Sequence, residues 1–590
     1  MLYPPFPSGL LSKRKKLRRE LLAPGRDFLD KKIAILGGST THDVKDALEL
    51  FLLDAGIRPA FYESEYNQYW QDAMFPNPEL EAFAPDLIYI HTSCRNIARW
   101  PALSDAPEAV DALLEEEMER FSAMWDRLAE VYRCPVIQNN FDYPAWRLLG
   151  NRDASDIHGR VNFVTRLNLK FAGYAQSHRS FYLNDLNYLS ASYGLERWSD
   201  SAAWHMYKYA CAPAAIPALA FSVAGMIKSL FGKNKKAFAL DLDNTLWGGV
   251  VGDDGPENLQ VGQETPVGQA YSEFQSYLKA HQQLGVILNV ISKNDPENAL
   301  AGLRRPDMTL KEEDFILIKA NWEPKSQNLL DMAHTLSLLP ESFVFVDDNP
   351  AEREIVRQQV PGAAVPDIGQ RPEDFIRAID RMGYFEVTEL SGDDAGRTEM
   401  YRQNAARSRA EAAFTDYGAY LRSLEMVGEI QPFAPLYFSR IAQLTNKSNQ
   451  FNLTTRRCTQ EEIAAMASDQ GYVTLYGKLS DKFGDNGVVS VVAGEWREDR
   501  LDVLLWLMSC RVLKRDMELA MLDALAVRCQ ALGVGKIRGY YYPTAKNGMV
   551  REFYGRLGFA KVSEDAAGNT VWDLDLAGYE KRNQVIKVSQ

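Results

Sequence analysis

This sequence contains few cysteines, fewer basic than acidic residues, and only short apolar runs. The 590 residues include six cysteines, no two of them spaced as C-x-x-C, which argues against a zinc site and against a secreted disulfide framework. Acidic residues outnumber basic ones by 79 to 66, and the resulting net charge of −13 argues against broad nucleic-acid binding. We find no apolar run long enough to span a bilayer. We therefore expect a cytoplasmic protein with neither a nucleic-acid nor a membrane partner.

The length indicates several domains. Hydrophobic residues make up 46% and charged residues 25%, which is ordinary for a globular chain, but 590 residues are too many for one core. The distribution of apolar runs and polar breaks predicts an α/β domain (1–230), a second α/β domain (231–390), a helical connector (391–425) and an α+β domain (426–590).

Short apolar runs alternate with helical periodicity in the first two domains. In the first, KIAILGGSTT (32–41), PDLIYIHTS (85–93) and CPVIQNN (134–140) are strand candidates. In the second, AFALDLD, VILNVISKND, FILIKA and SFVFVDDNP follow the same rhythm. This alternation predicts a parallel sheet in each domain, and a doubly wound sheet presents its site at the carboxyl ends of its strands. The pattern of the last domain predicts antiparallel strands around one long helix, hence an α+β fold.

Charged and hydroxyl side chains follow the apolar runs of the second domain. A parallel sheet would bring them to one edge, where crowded carboxylates repel one another and require neutralisation. Mg²⁺ prefers oxygen ligands and would neutralise them, while a hydroxyl and an ammonium group suit a phosphate. The residues concerned are Asp241, Asp243, Ser292, Lys325, Asp347 and Asp348.

Their positions predict a division of labour. Asp241, at the strand end, is placed to attack phosphorus, and Asp243 is placed to protonate the leaving oxygen and then to activate water. Asp347 and Asp348 would hold the metal together with this first acidic pair. Lys325 would offset the negative charge of the nucleophile and the phosphoryl group.

Each of these elements alone has an ordinary interpretation. D-x-D and DDNP are common acidic turns, Ser292 could cap a helix, and Lys325 could be a solvated helix residue. Four such elements in this order, each ending an apolar run or opening a helix, favour the catalytic interpretation.

The same order is found in the haloacid dehalogenase (HAD) superfamily of phosphotransferases. The strings DLDNTLWGGVVGDDG, SKND, MTLKEEDFILIKANWEPKSQNL and FVDDNPAERE resemble its FkbH-type branch across the whole second domain. The resemblance implies Mg²⁺ dependence, with Asp241 as nucleophile and Asp243 as acid and base. Members of this branch are associated with loading acyl units onto acyl carrier proteins, as in polyketide biosynthesis. The resemblance therefore implies a phosphorylated small acid as substrate and an acyl carrier protein as partner.

One position departs from the pattern of that branch. The cysteine expected just before the motif serine, which would carry a glyceryl group as a thioester, is replaced by Ile291. Cys510, in MSCRVL, is the only other motif-placed thiol, and a small buried strand residue is its simpler interpretation. Glyceryl transfer by that route is not expected, whereas the phosphoryl chemistry is unaffected.

The intervals between the motifs leave no room for a large cap domain. Asp241 and Ser292 are 51 positions apart, and Ser292 and Lys325 are 33 apart. A glycine-rich flap, a loop, one helix and one connection fill these intervals. We expect an open site, which favours a protein-tethered substrate or shielding by a neighbouring domain or protein.

The C-terminal domain resembles the second half of a GNAT acyltransferase through SCRVLKRDMELAMLDAL and NGMVREFYGRLGF. That fold grips the pyrophosphate of coenzyme A on an R/Q-x-x-G-x-G/A loop at a helix N-terminus. Arg511 fits the first position, but Lys514 and Asp516 occupy the glycine positions, and the Asp516 carboxylate is expected to cap the helix where the pyrophosphate would lie. Lys514 and Arg515 could still attract a phosphopantetheine phosphate. A docking module is favoured over an active acetyltransferase.

The N-terminal domain resembles the SGNH-like region that precedes many FkbH-type domains. LGGSTT would place Ser39 where that fold keeps its nucleophile, and SCRN (93–96) and QNN (138–140) follow later strands, where oxyanion donors would lie. Asp200 and His205 are the candidate base pair, spaced five apart instead of as D-x-x-H. A tight turn and a surface histidine explain the same residues, and a degenerate scaffold is favoured over an esterase-like site.

Together these patterns predict three domains around a capless, Mg²⁺-dependent phosphotransferase that serves acyl loading onto a carrier protein. The alternative from another class is a non-catalytic or acyltransferase-type scaffold that docks a carrier through the GNAT-like domain. The intact acidic residues and Lys325 favour the enzyme.

Overall fold

The chain forms two compact units, Met1–Leu230 and Phe231–Gln590. The structure is a computed structural model that describes residues 9–390, 397–411, 414–448, 450–509, 512–544 and 547–589. The second unit contains two separate sheets. We describe them as a central domain and a C-terminal domain.

The first unit is built on a five-stranded parallel sheet in the order β2-β1-β3-β4-β5, the flavodoxin-like order of a doubly wound fold. Its strands are β1 (Leu29–Gly37), β2 (Ile57–Glu63), β3 (Leu87–His91), β4 (Val136–Asn139) and β5 (Phe181–Asn184). Strands β3 and β4 are buried throughout because helices cover both faces of such a sheet. The helices are α1 (Arg14–Leu21), α2 (His42–Asp54), α3 (Tyr69–Met74), α4 (Pro78–Phe83), α5 (Pro107–Tyr132), α6 (Arg160–Ser177), α7 (Leu186–Tyr193), α8 (Leu195–Trp198), α9 (Ser201–Tyr207) and α10 (Ile216–Leu230).

One helical segment of this unit, Pro213–Leu230, is long and apolar enough to cross a membrane by length and composition alone. The sequence was expected to contain no such run. Half of the segment is buried within the unit, where Phe221 of α10 meets Phe51 of α2 edge-on at 5.2 Å between ring centroids. Part of the apolar surface of α10 is therefore covered by α2.

The central domain has a four-stranded parallel sheet in the order β8-β7-β6-β9. Its strands are β6 (Ala237–Leu240), β7 (Ile287–Ser292), β8 (Phe315–Ala320) and β9 (Phe343–Val346). Its helices are α11 (Val251–Asp254), α12 (Pro266–Gln283), α13 (Pro296–Leu303), α14 (Lys325–Thr335), α15 (Pro350–Gln359) and α16 (Phe375–Asp380). The strand order reverses at β6, and this switch point is where ligands bind in such sheets. Residues 241–325 are described without a gap and contain no cap domain.

The C-terminal domain has an eight-stranded sheet in the order β15-β16-β14-β13-β12-β11-β10-β17. Its strands are β10 (Val427–Gln431), β11 (Tyr472–Asp481), β12 (Gly484–Arg497), β13 (Arg500–Met508), β14 (Lys536–Tyr541), β15 (Ala560–Glu564), β16 (Thr570–Asp575) and β17 (Lys587–Ser589). The sheet is mixed and not purely antiparallel as expected, because β13/β14 and β10/β17 pair in parallel. A crossover helix joins β13 to β14, and parallel neighbours require such a connection.

Six described helices accompany this sheet: α17 (Arg397–Glu411), α18 (Tyr417–Ser423), α19 (Phe438–Lys447), α20 (Gln460–Ser468), α21 (Met517–Ala531) and α22 (Phe553–Arg556). The crossover helix α21 lies against the sheet, where the side chains of Met517 and Met521 fill the space above Gly477. The fold class expected from the sequence, two parallel α/β sheets and an α+β domain, is confirmed.

Helix α17 belongs to the segment expected as a connector and contacts both domains of the second unit. Tyr401 and Ala405 are buried in the central domain's core, and the Arg407 guanidinium donates two 2.8 Å hydrogen bonds to Asp481 on β11. This ion pair is almost completely buried. The helix therefore fastens the C-terminal sheet to the central domain.

Candidate active site

The candidate site lies at the carboxyl ends of β6 and β9, the two strands at the switch point. Leu240 pairs in register with Val346, so that Asp241 and Asp347 are the next residues on neighbouring strands. The Asp241 amide donates to the Val346 carbonyl at 2.9 Å and extends the pairing by one step. The alternation of apolar strands and helices places the two carboxylates side by side.

Lys325, the first residue of α14, joins these two carboxylates. Its Nζ lies 2.8 Å from Asp241 Oδ2 and 2.6 Å from Asp347 Oδ2. All three side chains are buried, and that of Asp347 is completely inaccessible to solvent. Burial opposes the charge of Lys325, but the two carboxylates outweigh this effect and hold the pKa of Lys325 above its usual range.

Asp348 completes an acidic group with Asp241 and Asp347. One ligand oxygen from each of the three carboxylates lies within 4.8 Å of the others. Burial, with a further contribution from the Asp241 charge, raises the pKa of Asp347 to about 6 and also raises the pKa of Asp348. Thr245 Oγ1 accepts a hydrogen bond from the Asp348 amide at 3.1 Å and helps to fix this turn.

The charges of this group fit a divalent cation. Three carboxylates face one ammonium group, so the cluster carries uncompensated negative charge in a largely buried position. Oxygen-only ligands of this kind suit Mg²⁺, which binds through one or two carboxylates and keeps several waters. The residues that would hold it are Asp241, Asp347 and Asp348.

Asp243 lies beside this group, but its carboxylate is not part of it. Oδ1 accepts hydrogen bonds from Trp247 Nε1 at 2.9 Å and the Val251 amide at 3.0 Å, and Oδ2 accepts from Asn294 Nδ2 at 2.7 Å. The prediction that the Asp243 carboxylate is a metal ligand is corrected accordingly, because these three donors direct its oxygens elsewhere. The same donors fix the carboxylate at the edge of the cavity, as an acid–base group requires.

Ser292 is the last residue of β7, where it is buried and does not line the cavity in front of Asp241. Its Oγ accepts a hydrogen bond from Asn294 Nδ2 at 3.2 Å, and the same amide group holds Asp243. Asn294 therefore links the motif serine to the acid–base aspartate, a role that the sequence prediction missed. Its position two residues after Ser292 in SKND was the available indication.

A polar cavity of about 400 Å³ opens in front of Asp241. Lys293 and Glu352 form an ion pair on its wall, with 2.6 Å between Nζ and Oε1. The lining residues are Asp241, Asp243, Asn244, Lys293, Lys325, Asp348, Asn349, Pro350, Glu352 and Gln370. The nucleophile, acid–base and lysine candidates thus share one cavity.

Known proteins resemble this chain in sequence and in structure. Residues 32–228 match the family described as FkbH, N-terminal domain. The N-terminal part of the protein BF1531 from Bacteroides fragilis, which contains a phosphatase domain and was crystallised with Mg, is 30% identical with a TM-score of 0.58; the match covers 64% of this chain and 99% of that chain. The chain belongs to the FkbH family. No curated protein matches it.

Solved acetyltransferases resemble part of this FkbH-family chain. The ribosomal-protein-S18-alanine N-acetyltransferase of Escherichia coli is 11% identical with a TM-score of 0.21, and the match covers 27% of this chain and 99% of that one. The PaiA N-acetyltransferase of Thermoplasma acidophilum, in complex with coenzyme A, is 13% identical with a TM-score of 0.20, covering 25% of this chain and 98% of that one. At these TM-scores the similarity supports no statement about activity.

In the C-terminal domain of the FkbH-family chain, the described part of the loop before α21, residues 512–516, does not present its predicted cations to a coenzyme A pyrophosphate. Arg515 is buried and donates to Asp481 at 3.2 Å and Asn404 at 3.3 Å, which corrects its predicted role in attracting a phosphate. The Lys514 side chain is exposed, while its carbonyl accepts a 2.6 Å hydrogen bond from the Tyr417 hydroxyl. Two further candidates, Arg511 and Cys510, lie outside the described residues.

Two residues of this loop keep the conformation that favours glycine. Lys514 has φ 62° and Asp516 has φ 59°, and each costs about 1–2 kcal/mol relative to glycine. Asp516 stands at the N-cap position of α21, but its carboxylate makes no capping hydrogen bond, contrary to the prediction. A left-handed N-cap residue cannot direct its side chain along the first turn as an extended one does.

The candidate residues of the first unit do not assemble into an esterase site. Ser39 is buried and its hydroxyl has no hydrogen-bond partner, while His205 is exposed on α9. Asp200 caps α9 by accepting from the Ala203 amide at 2.9 Å. The expected oxyanion donors are occupied: Asn96 donates to the Gly38 carbonyl at 2.8 Å, and the amide groups of 138–140 bond within the fold. These contacts support the degenerate-scaffold interpretation.

Substituting Gly302 with alanine should disturb Asp243 from a distance. A Cβ at this position of α13 would stand 2.8 Å from the Trp247 indole, whose Nε1 holds Asp243 Oδ1. We expect Gly302→Ala to lower the free energy of unfolding by about 1–3 kcal/mol and to lower kcat, because the indole must move. Urea unfolding and phosphate-release assays measure the two effects. In the control Gly252→Ala the new Cβ has only an ordinary contact at 3.6 Å, and equal losses in both variants would contradict this account.

Proposed function

We propose that this protein is a Mg²⁺-dependent phosphatase or phosphotransferase that acts through an aspartyl-phosphate on Asp241. The observation that carries the proposal is the group formed by Asp241, Asp347 and Asp348 with Lys325, of which Asp241, Asp348 and Lys325 line one cavity. Membership in the FkbH family and the 30% identical relative with a phosphatase domain support a phosphatase-type role.

The side chains divide the reaction into two displacements. In the first, a carboxylate oxygen of Asp241 attacks phosphorus, the bond to the leaving oxygen breaks, and Asp243 gives its proton to that oxygen. In the second, water attacks the phosphorus of the aspartyl-phosphate, Asp243 takes the water proton, and the Asp241 carboxylate is restored. Lys325 holds the nucleophile in place and offsets charge throughout. When bound, Mg²⁺ would add positive charge next to the phosphoryl oxygens.

The substrate we propose is a phosphorylated small acid, used in the cytoplasm for loading an acyl group onto an acyl carrier protein. The polar cavity of about 400 Å³ and the absence of a cap between 241 and 325 support an open site that a carrier can approach. Residue 291 is an isoleucine and not a cysteine, so this position offers no thiol for the acyl group. Its side chain is fully buried in β7. Loading would therefore need a substrate with an acyl phosphate, in which the carrier thiol attacks the acyl carbon, the bond to the phosphate oxygen breaks and phosphate leaves. Attack of Asp241 on phosphorus is a separate step and would act on a second phosphate or release the free acid.

Two assays test the proposal together. The protein is expected to hydrolyse an aryl phosphate in the presence of Mg²⁺ and to lose that activity in EDTA. Incubation with a pantetheinylated carrier and candidate acyl phosphates is expected to add the acyl mass to the carrier, as read by mass spectrometry. Hydrolysis without a mass shift would leave a simple phosphatase, and the absence of both would contradict the proposal.

The alternative is a non-catalytic or acyltransferase-type scaffold that docks a carrier protein through the GNAT-like domain. The inward-facing Arg515 and the side-chain-bearing residues at 514 and 516 argue against coenzyme A chemistry in that domain, and of the two residues predicted to attract a phosphate only Lys514 is exposed. We therefore predict that millimolar coenzyme A leaves the melting temperature unchanged. A submicromolar affinity, measured by calorimetry, would contradict this prediction.

A further inference from the structure

Arg353 is a buried cation next to the acidic group that the proposed chemistry does not use. It lies on the first turn of α15 and is only 5% exposed. Its NH1 donates to the Asp347 carbonyl at 2.8 Å and to the Asp348 carbonyl at 2.7 Å. A single guanidinium nitrogen therefore contacts the backbone of Asp347, whose carboxylate is buried, and of Asp348, whose side chain lines the cavity.

The other side of the guanidinium reaches a second loop. NH2 donates to Asp367 Oδ1 at 2.7 Å, and the same oxygen accepts from the Gly369 amide at 3.3 Å. Gly369 precedes Gln370, which lines the cavity. Arg353 thus ties the turn that bears Asp347 and Asp348 to the loop that forms a neighbouring part of the cavity wall.

This geometry indicates that Arg353 controls the positions of the Asp347 and Asp348 carboxylates. The guanidinium is planar and rigid, so its donors fix the carbonyls they contact relative to one another. Asp347 Oδ1 is also held by the Asn349 amide at 2.8 Å and Oδ2 by Lys325 Nζ at 2.6 Å, so the Asp347 carboxylate moves with its turn. Fixing the two carbonyls restricts movement of the turn that carries both aspartates. Groups that orient metal ligands in this way affect metal affinity about 10–100-fold.

Arg357, one turn further along α15, shows what an ordinary arginine of this helix does. It donates to the Val365 carbonyl at 3.0 Å and pairs with Glu354, and its side chain is 37% exposed. None of these partners belongs to the acidic group. The contrast separates the specific role of Arg353 from a general contribution of arginine to α15.

We propose that Arg353 is a positioning residue that holds Asp347 and Asp348 in the arrangement that binds Mg²⁺. The inference rests on the proposed function only in assigning Mg²⁺ to the acidic group. It requires no turnover, because metal binding can be measured in the absence of substrate.

The test compares Arg353→Lys and Arg353→Met with the control Arg357→Met. Lysine keeps the positive charge but cannot contact two carbonyls and Asp367 in one plane. We expect both Arg353 variants to need about 10–100-fold more Mg²⁺ for half of the Mg²⁺-induced thermal stabilisation and for half-maximal aryl phosphate turnover. At saturating Mg²⁺ the kcat should recover to within a few-fold of the wild type. Arg357→Met should keep the wild-type Mg²⁺ dependence.

The outcomes separate the possibilities. Folded Arg353 variants with the wild-type Mg²⁺ half-saturation would overturn the inference, since a merely structural role lowers stability without moving that value. If neither variant folds, Asp367→Ala decides, because it removes the acceptor of the Arg353 NH2 hydrogen bond and a side chain that is 55% exposed can be lost without unfolding. A rise in the Mg²⁺ half-saturation of Asp367→Ala supports the inference, and an unchanged value overturns it. Mg²⁺-induced stabilisation without any turnover would contradict the proposed function and leave this inference standing.

Discussion

Replacing Asp241 with asparagine will reduce Mg²⁺-dependent hydrolysis of an aryl phosphate by at least about 1,000-fold, because the amide is a poor nucleophile toward phosphorus and carries no charge for the cation. The fold should survive. Asparagine is nearly the same size as aspartate, and the backbone N–H of residue 241 keeps its hydrogen bond to the Val346 carbonyl. Removing one carboxylate also relieves repulsion within the acidic group. Phosphate release at saturating Mg²⁺, together with melting temperature, measures both expectations.

The matched control is Asp253→Asn, which changes an exposed aspartate of α11 in the same way. Its turnover should stay within about two-fold of the wild type, since surface substitutions have small effects. Retained turnover in Asp241→Asn would remove Asp241 from the nucleophile role. A loss of activity in both variants would point to a general effect of acidic residues around the cavity.

Replacing Lys325 with methionine will have the second largest effect, on stability as well as activity. Asp241 and Asp347 would lose their shared cation at 2.8 and 2.6 Å while staying buried. Breaking a buried ion pair from one side costs about 3–5 kcal/mol, because the remaining charge is left uncompensated. We expect a loss of this size in the free energy of unfolding in EDTA, measured with urea, and partial recovery when Mg²⁺ is added.

A second substitution tests the electrostatic origin of that loss. In Lys325→Met combined with Asp347→Asn, one of the two uncompensated charges is gone, so the double variant should be more stable than Lys325→Met alone. Additive losses would mean that lost packing of the lysine stem, and not charge, explains the effect. Activity should remain low in both variants because charge on the phosphoryl group is no longer offset.

The sequence was sufficient for the parts of the site that depend on strand order. Asp241, Lys325 and Asp347 each end an apolar strand or open a helix, and a parallel sheet brings such positions together whatever the side-chain details. The order of the motifs also led to the confirmed fold class. The direction in which a side chain points could not be predicted from the sequence. Asp243 and Asp241 are two residues apart, yet only the three donors around Asp243 show that its carboxylate turns away from the acidic group.

Residues that act through long-range contacts were also beyond sequence reasoning. Arg353 reads as a polar helix residue in FVDDNPAERE, and its contact with Asp367 depends on how the chain returns after β9. The sequence predicted that Arg515 could bind a ligand. In the structure its guanidinium instead donates hydrogen bonds to Asp481 and Asn404, which are distant in sequence. None of these three partners could be paired with its arginine from local pattern alone.

The central claim is that a phosphoryl group is transferred to the Asp241 carboxylate. A metal ion held by the acidic group lies beside it. The most direct measurement is a crystal structure of the protein with Mg²⁺ and beryllofluoride, a mimic of the phosphoryl group. The account predicts beryllium bonded to a carboxylate oxygen of Asp241, with Mg²⁺ in contact with Asp241 and with Asp347 or Asp348. Beryllofluoride bound elsewhere, or a cation outside these three carboxylates, would contradict it.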